Sequence, residues 1–387
     1  MKNVINTEKV PIKLWLSDIE DGAMNQAKNL ANLPFVFRHI ALMPDCHQGY
    51  GMPIGGVMAT RRVVVPNAVG VDIGCGMMAV QTSLEVNASQ DTIKKALSQI
   101  RKLVPTGFQK HDEPKNVVCM PNDAFGPIID REFVNARKSL GTLGGGNHFI
   151  EIQAGSDGYI YLMIHSGSRN LGLQVAKHYN NLAVDLNEKW FSVVPKKYEL
   201  AFLPLDSEEG QSYLIEMQYC VKFALANREE MMVRVKEAIS YTFGDVWFSV
   251  PINIAHNYVA MEHHFGQNVL VHRKGAIKAQ DGQFGIIPGS QGTASYIVEG
   301  KGNKESFESC SHGAGRKMGR KQAQKMLDLE IEKKRLDDIG VIHAIRNVKD
   351  LDEAPGAYKD ISKVMENQSD LVNILVELKP LAVIKGD

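Results

Sequence analysis

The segment VGVDIGCGMMAV, residues 69–80, places a carboxylate and a thiol in a tight turn between two hydrophobic, strand-like pieces. Asp72 and Cys75 are three residues apart, and Gly74 and Gly76 stand on either side of the cysteine. Glycine tolerates positive φ and lets the backbone approach a neighbouring group closely. The pattern therefore predicts a turn that brings a carboxylate and a thiolate to one place.

The composition around this segment is that of a globular protein. Of the 387 residues, 44% are hydrophobic and 23% are charged. A chain of this length can bury a large hydrophobic core. Lys plus Arg equals Asp plus Glu, at 44 each, so any contact with nucleic acid must depend on a local basic site. No apolar run approaches the roughly 20 residues of a membrane span. The N-terminal residues also lack a signal-peptide core, so we expect a soluble protein with no membrane segment.

The five cysteines form neither a CxxC motif nor a regular disulfide framework. They are Cys46, Cys75, Cys119, Cys220 and Cys310. An odd number without a pattern is typical of the reducing cytoplasm, where a cysteine is more often a ligand or a buried hydrophobic residue. We therefore expect a cytoplasmic protein.

Periodicity predicts a mixed α/β fold in one compact domain over residues 1–387. The predicted strands are 57–60, 63–65, 79–82, 159–165, 285–287, 294–298 and 381–384, and the predicted helices are 92–103, 217–239 and 316–336. Asp91 is the predicted N-cap of the first helix, and 121–127 and 203–211 are predicted loops. Glycine turns occur along the whole length without a repeat or a linker, which favours one domain.

The chemistry-bearing residues are concentrated in eight polar turns, seven of which contain glycine. These turns hold six of the twelve histidines. The segments are MPDCHQGYG (43–51), VDIGCGM (71–77), GTLGGGNHFIE (141–151), HSGSR (165–169), NIAHNY (253–258), HRKGA (272–276), PGSQGTASY (288–296) and SCSHGAGR (309–316). Polar turns of this kind rarely pack in a hydrophobic core. The presence of eight such turns in one chain therefore indicates a functional site.

His148, His165 and His256 each adjoin a hydrophobic stretch and a polar turn, and with Asp72 and Cys75 they form a candidate ligand set. A single such histidine is more often a hydrogen-bonded core or turn residue, but the set as a whole favours a metal. Imidazole, thiolate and carboxylate suit a transition metal, and thiolate disfavours Ca²⁺ and Mg²⁺. Because a thiolate can bridge two ions, five ligands could hold a pair. The residues alone do not distinguish between Zn²⁺, Mn²⁺ and Co²⁺, and of these three ions they favour Zn²⁺.

SCSHGAGR places His312 before Gly-Ala-Gly and a predicted basic helix. Small residues before a helix N-terminus can bind an anion through backbone N–H groups, and Arg316 and Arg320 would lie one turn apart on the same face. The segment predicts a histidine that handles a phosphoryl group as nucleophile or general acid. The alternative is that His312 has no chemical role and that Arg316 and Arg320 are solvated.

The motifs GVDIGCGM, GTLGGGNHFIE, HSGSR, HNY, RKGA, IIPGS, SHGAGR, AYKDI and IKG together resemble the RtcB family of RNA-splicing ligases. They follow the family's order from near residue 10 onward, so the resemblance covers essentially the whole chain. It implies an α/β fold of packed β-sheets flanked by helices, with a central metal cleft. The implied enzyme joins an RNA 3′-phosphate or 2′,3′-cyclic phosphate to a 5′-hydroxyl, using GTP and two Mn²⁺ ions.

The resemblance also implies residue roles. Cys75 would bridge the two ions, with Asp72 and His148 at one and His165 and His256 at the other. His312 would form a histidine–GMP intermediate, followed by an activated RNA-3′-pp-G end. The implied guanylate contacts are Asn147, Phe149, Glu151, His256, Gly289, Ser290, Gly292, Ser295, His312, Gly313, Ala314, Gly315, Tyr358 and Lys385. The implied phosphate or RNA contacts are Arg169, Arg316 and Arg320.

Several alternatives remain open from the sequence. A dinuclear metal phosphoesterase or nuclease acting on RNA ends would use the same ligands, and a silent RNA-end-binding protein would have lost a ligand or His312. The chain does not separate tRNA splicing from repair of cleaved tRNA or rRNA, nor does it give the oligomeric state or the need for an accessory activating protein. Asp45, Cys46 and His47 could form a third metal site, but we favour a supporting or RNA-contacting role for Asp45 and His47. Segment 101–127 is short for the family, which leaves the substrate range open.

Overall fold

A computed structural model describes residues 1–123 and 125–386, and it confirms the mixed α/β fold class. The strands are β1 (Asn3–Ile5), β2 (Ile12–Leu14), β3 (Val36–Tyr50), β4 (Met52–Thr60), β5 (Val63–Val64), β6 (Gly76–Glu85), β7 (Phe149–Gly155), β8 (Tyr159–Ser166), β9 (Leu203–Pro204), β10 (Ile252–Ala255), β11 (Asn257–His264), β12 (Gln267–Lys274), β13 (Ala276–Lys278), β14 (Phe284–Ile287), β15 (Ser295–Gly300), β16 (Ser309–Ser311) and β17 (Val372–Lys385). The helices are α1 (Asp21–Ala31), α2 (Gln90–Leu103), α3 (Pro127–Ser139), α4 (Leu171–Lys189), α5 (Glu208–Phe243), α6 (Arg320–Met326), α7 (Leu329–Asp338) and α8 (Ile361–Asn367).

Two large sheets dominate the fold. The six-stranded sheet has the order β1-β2-β3-β4-β12-β11, and the seven-stranded sheet has the order β10-β6-β8-β7-β17-β15-β14. Every pair in the seven-stranded sheet is antiparallel, and β2 with β3 is the parallel pair in the other. Antiparallel neighbours can be distant in sequence, and β17 lies between β7 and β15 although it follows both.

The sheets pack against each other and are covered on their outer faces by helices. One core joins Val57 and Val271 of the six-stranded sheet to Ile287 and Val298 of the seven-stranded sheet. A second core packs α1 on the outer face of the six-stranded sheet, and a third packs α2 and α5 on the outer face of the other. Successive side chains of a strand point to opposite faces, so every second residue of β6, β7 and β8 points between the sheets.

The candidate site lies at the inner face of the seven-stranded sheet. Phe149 and Glu151 of β7 alternate with Ile150 and Ile152, which pack in the outer core. His256 is the single residue between β10 and β11, and these two strands belong to different sheets. The chain therefore crosses from one sheet to the other at a predicted metal ligand.

Three local predictions were wrong. Ser89, not Asp91, caps α2, because its side chain accepts a hydrogen bond from the Thr92 N–H. Residues 203–211 are not a continuous loop, since they contain β9 and the start of α5, which Ser207 caps. The segment 316–336 is not one helix but contains α6 and most of α7, and Asp328 caps the second of these.

Arg316 lies outside any helix because its backbone forms an isolated β-bridge with Tyr358. The predicted spacing of Arg316 and Arg320 along one helix face is therefore wrong. The Gly-Ala-Gly turn also does not lead directly into a helix, because α6 begins only at Arg320.

Helix α5 carries a buried cation at the centre of the fold. Arg228 is fully buried, and its guanidinium donates to the carbonyls of Gly74 (3.1 Å), Ser166 (2.8 Å) and Ile254 (3.3 Å) and to the Asn253 side chain (2.8 Å). A buried charge is costly unless such groups satisfy it.

Although α5 is 36 residues long, no helix within 1–123 or 125–386 combines the length and apolar character that a bilayer span requires.

We predict that Arg228→Ala lowers the free energy of unfolding by about 3 kcal/mol, because it leaves buried carbonyls without donors. Urea denaturation measures this change. The matched control is Arg234→Ala on the same helix, whose guanidinium pairs with Glu237 near the surface and whose loss should cost less than about 0.5 kcal/mol. Equal losses in the two variants would contradict the role assigned to Arg228.

Candidate active site

The five predicted metal ligands converge in the structure. Their ligand atoms form two groups, Cys75–His165–His256 and Asp72–Cys75–His148, and within each group the atoms lie within 4.8 Å of one another. Cys75 belongs to both. Asp72 and Cys75 come from the turn before β6, His148 immediately precedes β7, and His165 lies near the end of β8. We call these five residues the ligand cluster.

Backbone carbonyls orient two of the imidazoles. His148 Nδ1 bonds the Leu143 carbonyl and His165 Nδ1 bonds the Asn147 carbonyl, both at 3.1 Å. A carbonyl can only accept, so Nδ1 carries the proton and Nε2 presents its lone pair. These Nε2 atoms lie 3.5 and 3.2 Å from Cys75 Sγ. The rings are therefore in the tautomer that can coordinate a metal.

The ligand cluster has more acceptors than protons. The Cys75 thiol offers one hydrogen but faces two Nε2 atoms, and the carboxylate of Asp72 lies 3.2 Å from His148 Nε2. His256 Nδ1 is buried with no hydrogen-bond partner in the described chain. Burial lowers the pKa of His165 and His256 well below the usual value, so both are neutral. Such a donor set fits divalent cations, which also stabilise a thiolate.

Burial raises the pKa of the Cys75 thiol well above its usual value, and the neighbouring Asp72 carboxylate adds to the shift. Without further positive charge the thiol keeps its proton. A thiolate at this position therefore needs a cation close to the sulfur, which the neutral imidazoles and Asp72 are placed to hold.

His312 is positioned by a buried carboxylate. Asp45 is fully buried, and its Oδ2 lies 2.6 Å from His312 Nδ1 and 3.1 Å from the His312 backbone N. The ring of His312 lies 4.8 Å from that of His256, so it adjoins the ligand cluster. Gly315 has a φ of +74°, and a Cβ there would lie 2.2 Å from the Asp45 carbonyl oxygen. Glycine thus lets the turn that carries His312 approach Asp45.

A cavity opens beside His312, and we call it the nucleotide cavity. Most predicted guanylate contacts line it. They are Asn147, Phe149, Glu151, His256, Gly289, Ser290, His312, Gly313, Ala314, Gly315, Tyr358 and Lys385, together with Arg316 and Arg320. Phe149 packs in the inner core and also lines the cavity.

Two predicted guanylate contacts do not line the nucleotide cavity. A Cβ on Gly292 would point at Leu336 and Pro355, away from the opening. The Ser295 hydroxyl is buried and accepts the Gly289 N–H at 3.1 Å, so it supports the loop instead.

Glu353 is a carboxylate that the sequence analysis did not identify as a site residue. It accepts from Tyr358 Oη (2.6 Å) and lies 3.0 Å from Lys385 Nζ and 3.3 Å from Arg316. Burial opposes its ionisation, but Lys385, Tyr358 and the nearby arginines lower the pKa of Glu353 to about 2. Arg320 also reaches Glu353, at 3.8 Å. Two of the three predicted phosphate-binding arginines, Arg316 and Arg320, are therefore paired with a carboxylate.

Arg169 lies beside the ligand cluster and outside the nucleotide cavity. Its Nε donates to the Thr142 hydroxyl (3.0 Å) and Nη2 to the Gly107 carbonyl (3.1 Å). These bonds hold the guanidinium near Gly144, where a Cβ would overlap both Arg169 and His148.

Glu151 and Lys385 come from adjacent strands. The pairing of β7 with β17 sets Lys385 opposite Phe149 and Val383 opposite Glu151. Burial raises the pKa of Glu151 to about 7, against the opposing effects of Lys385 and a 2.6 Å hydrogen bond from Gln153. Lys385 Nζ lies 5.5 Å from the centre of the Phe149 ring. The predicted strand at 381–384 is therefore present, and it carries Lys385 into the cavity.

Other histidines have structural contacts. His272 is buried and accepts the Val65 N–H at 3.0 Å, and His264 is buried against Glu262 at 2.9 Å. His263 bonds Asn268 at the surface. Asp45 has a supporting role, because its carboxylate accepts a hydrogen bond from His312. His47 lines the nucleotide cavity.

Comparison with known proteins identifies the family of this chain. The family model described as "tRNA-splicing ligase RtcB" matches residues 26–130 and 118–386. The "RNA-splicing ligase RtcB" of Escherichia coli (strain K12) is 39% identical over 411 residues, covering 99% of both chains. The "tRNA-splicing ligase RtcB" of Nanoarchaeum equitans is 31% identical over 459 residues, covering 97% of this chain and 95% of that protein. These similarities define an enzyme of the RNA ligase class. The chain belongs to the RtcB family.

We predict that Cys75→Ala abolishes binding of divalent metal at both halves of the ligand cluster, because the sulfur is common to both. Elemental analysis after loading with Mn²⁺ and gel filtration measures the content. Cys119→Ala is the control, since that cysteine is partly exposed and lies outside both ligand groups. Two ions retained by the Cys75 variant would contradict a shared sulfur.

Proposed function

We propose that this protein joins an RNA 3′-phosphate or 2′,3′-cyclic phosphate end to an RNA 5′-hydroxyl end, with GTP as co-substrate and two Mn²⁺ ions. The observation that carries the proposal is the Asp45–His312 pair, which stands between the ligand cluster and the nucleotide cavity. A positioned imidazole between a metal site and a nucleotide pocket fits transfer of a nucleotidyl group.

Asp72, Cys75 and His148 would hold one Mn²⁺, and Cys75, His165 and His256 the other. Bound there, the ions supply positive charge that balances phosphate oxygens and favours ionisation of a water or a hydroxyl. The carbonyls of Leu143 and Asn147 keep two of the imidazoles in the ligating tautomer. The residues of this chain thus fit the ions without rearrangement of the rings.

His312 would be the nucleophile. Because the Asp45 carboxylate accepts from Nδ1–H, the lone pair of Nε2 is available to attack the α-phosphate of GTP. A P–N bond forms, pyrophosphate leaves, and the carboxylate stabilises the positive charge on the ring. A 3′-phosphate oxygen of the RNA then attacks the same phosphorus, the P–N bond breaks, and neutral His312 is restored with an RNA-3′-pp-G end.

The final step transfers the activated end. The 5′-hydroxyl oxygen attacks the phosphorus next to the RNA 3′ oxygen, its proton is lost, and GMP leaves. A cyclic phosphate must first add water to become a 3′-phosphate. The phosphates would be contacted by Arg169, Arg316 and Arg320. Arg316 and Arg320 would then bind phosphate and the Glu353 carboxylate at the same time.

Guanine would be read by opposite charges across the nucleotide cavity. The Glu151 carboxylate would accept from guanine N1–H and N2–H, and the Lys385 ammonium would donate to O6. Adenine reverses the polarity of this edge, so ATP would leave both groups unsatisfied. Tyr358 and Glu353 fix Lys385 on its other side.

The rival phosphoesterase would use the same ligand cluster, but hydrolysis needs neither the nucleotide cavity nor a nucleophilic histidine. These two features favour the ligase. Splicing and repair join the same ends, so either can be the physiological role. The cytoplasm suits the proposal, because the five cysteines are free and Cys75 must stay reduced to act as a ligand.

We predict that His312→Ala loses covalent labelling by radiolabelled GTP and loses joining of a 3′-phosphate end, yet retains two metal ions. It should still join an RNA end supplied already guanylylated, because that step needs no nucleophilic imidazole. Mass spectrometry of the labelled wild type should place GMP on His312, and the adduct should be acid-labile and stable in alkali. His263→Ala, whose imidazole bonds Asn268 at the surface, is the control and should label normally.

GMP mapped to Lys274 or Lys317 would refute the assignment of His312. Persistent labelling of His312→Ala would refute it as well. A protein that cleaves RNA ends without any nucleotide requirement would instead identify the phosphoesterase.

We predict that Glu151→Ala lowers the preference for GTP over ATP by about 100-fold, since it removes charge-assisted hydrogen bonds to guanine. Labelling rates with each nucleotide measure this ratio. In the wild type, GTP labelling should weaken as the pH falls through about 7, because the carboxyl is then protonated. Glu299→Ala on β15 lies outside the cavity and is the control. Unchanged selectivity would remove Glu151 from this role.

A further inference from the structure

A second groove lies beside the nucleotide cavity and is lined by an exposed aromatic ring and several cations. We call it the Phe108 groove. Phe108, Lys110, Arg169, Arg346 and Lys349 line it. Arg320 and Lys385 line both this groove and the nucleotide cavity, so the two spaces are adjacent.

Phe108 is 98% exposed and lines this groove. The turn that carries it is fixed by hydrogen bonds. The Gly107 N–H donates to the Gly144 carbonyl (3.0 Å), and Arg169 donates to the Gly107 carbonyl (3.1 Å). Gly144 belongs to the GTLGGGNH segment that carries His148. The backbone next to Phe108 is thus anchored to the segment that carries His148.

The carboxylates in the groove are already engaged, whereas two lysines are not paired with acids. Asp350 accepts the backbone N–H groups of Arg346 (2.8 Å) and Asn347 (3.0 Å), and Asp352 and Glu353 pair with Arg320. Lys110 and Lys349 are exposed and form no ion pair within the described chain. Among the described residues that line the groove, Lys110 and Lys349 therefore leave positive charge without an acidic partner.

We propose that the Phe108 groove binds the single-stranded RNA that leads to a reacting end, with the Phe108 ring stacked on an unpaired base. Lys110 and Lys349 contact phosphates along the strand. An exposed ring beside cations is the combination that binds single-stranded nucleic acid, because every base has a π-face and every linkage a negative charge. A duplex keeps its bases stacked inside and offers no face to the ring. The inference rests on the proposed function, since it supplies the substrate path of that site.

The test measures the binding of fluorescein-labelled single-stranded RNA of about 12 nucleotides by anisotropy, with no GTP present. One probe ends in a 3′-phosphate and another in a 5′-hydroxyl. Phe108→Ala should weaken binding of at least one probe by about tenfold, and Phe108→Trp should retain it. The matched control is Phe191→Ala, a ring that is 91% exposed but lies far from the site at another cavity.

The lysines are tested by salt dependence. Lys110→Ala and Lys349→Ala should each reduce the slope of log K against log salt by about 0.7, whereas Phe108→Ala should leave the slope unchanged. A blunt RNA duplex should bind wild type and Phe108→Ala alike. Unchanged affinity of Phe108→Ala for both probes would overturn the proposal, as would equal losses in the Phe191 variant.

The failure of this inference is distinguishable from failure of the proposed function. Labelling of the protein by GTP needs no RNA, so Phe108→Ala should label at the wild-type rate. A protein that labels His312 but binds RNA independently of Phe108 overturns only the groove. A wild type that does not label at all overturns the ligase mechanism, whatever its RNA affinity.

Discussion

The ligand cluster depends on one buried guanidinium. Arg228 donates to the carbonyls of Gly74, Ser166 and Ile254, and each of these residues lies within two positions of a predicted metal ligand. Because guanidinium is planar with fixed donor directions, it sets the spacing of three backbone segments at once. Burial lowers the pKa of Arg228 to about 10, while the nearby Cys75 and Asp72 favour its charged form. The cation that shapes the cluster therefore also favours ionisation of its sulfur.

The segment that contains Asn147, His148 and Phe149 links the two halves of the site. The Asn147 carbonyl accepts from His165 Nδ1 and from Lys385 Nζ, both at 3.1 Å. His148 faces the ligand cluster, and the Phe149 ring lies beneath Lys385. One carbonyl thus connects a metal ligand to the residue proposed to read guanine. The Asn147 carbonyl therefore holds both the His165 imidazole and the Lys385 ammonium in place.

Much of this arrangement could be predicted from sequence, because alternation and glycine turns are local signals. They predicted strands within β6, β8 and β17, a helix within α5, and the turns whose residues form the ligand cluster. The pairing of Asp45 with His312 spans 267 positions, and no local pattern reveals such a contact. Glu353 carried no signal, since it is one acid in an ordinary polar stretch. The single helix over 316–336 failed because bridging of Arg316 to Tyr358 overrides local helical periodicity.

The position of β17 has a consequence for how the protein is made. This strand lies between β7 and β15, and its partner residue for Lys385 is Phe149, more than two hundred residues earlier. Contacts of such separation form slowly, because a long loop must be closed before any pairing is gained. While a ribosome is still translating the preceding residues, β7 has an unpaired edge and the side of the cavity that contains Lys385 is missing. A nascent chain therefore cannot complete this cavity until residues 372–385 have emerged, and until then its exposed strand edge is a target for chaperones.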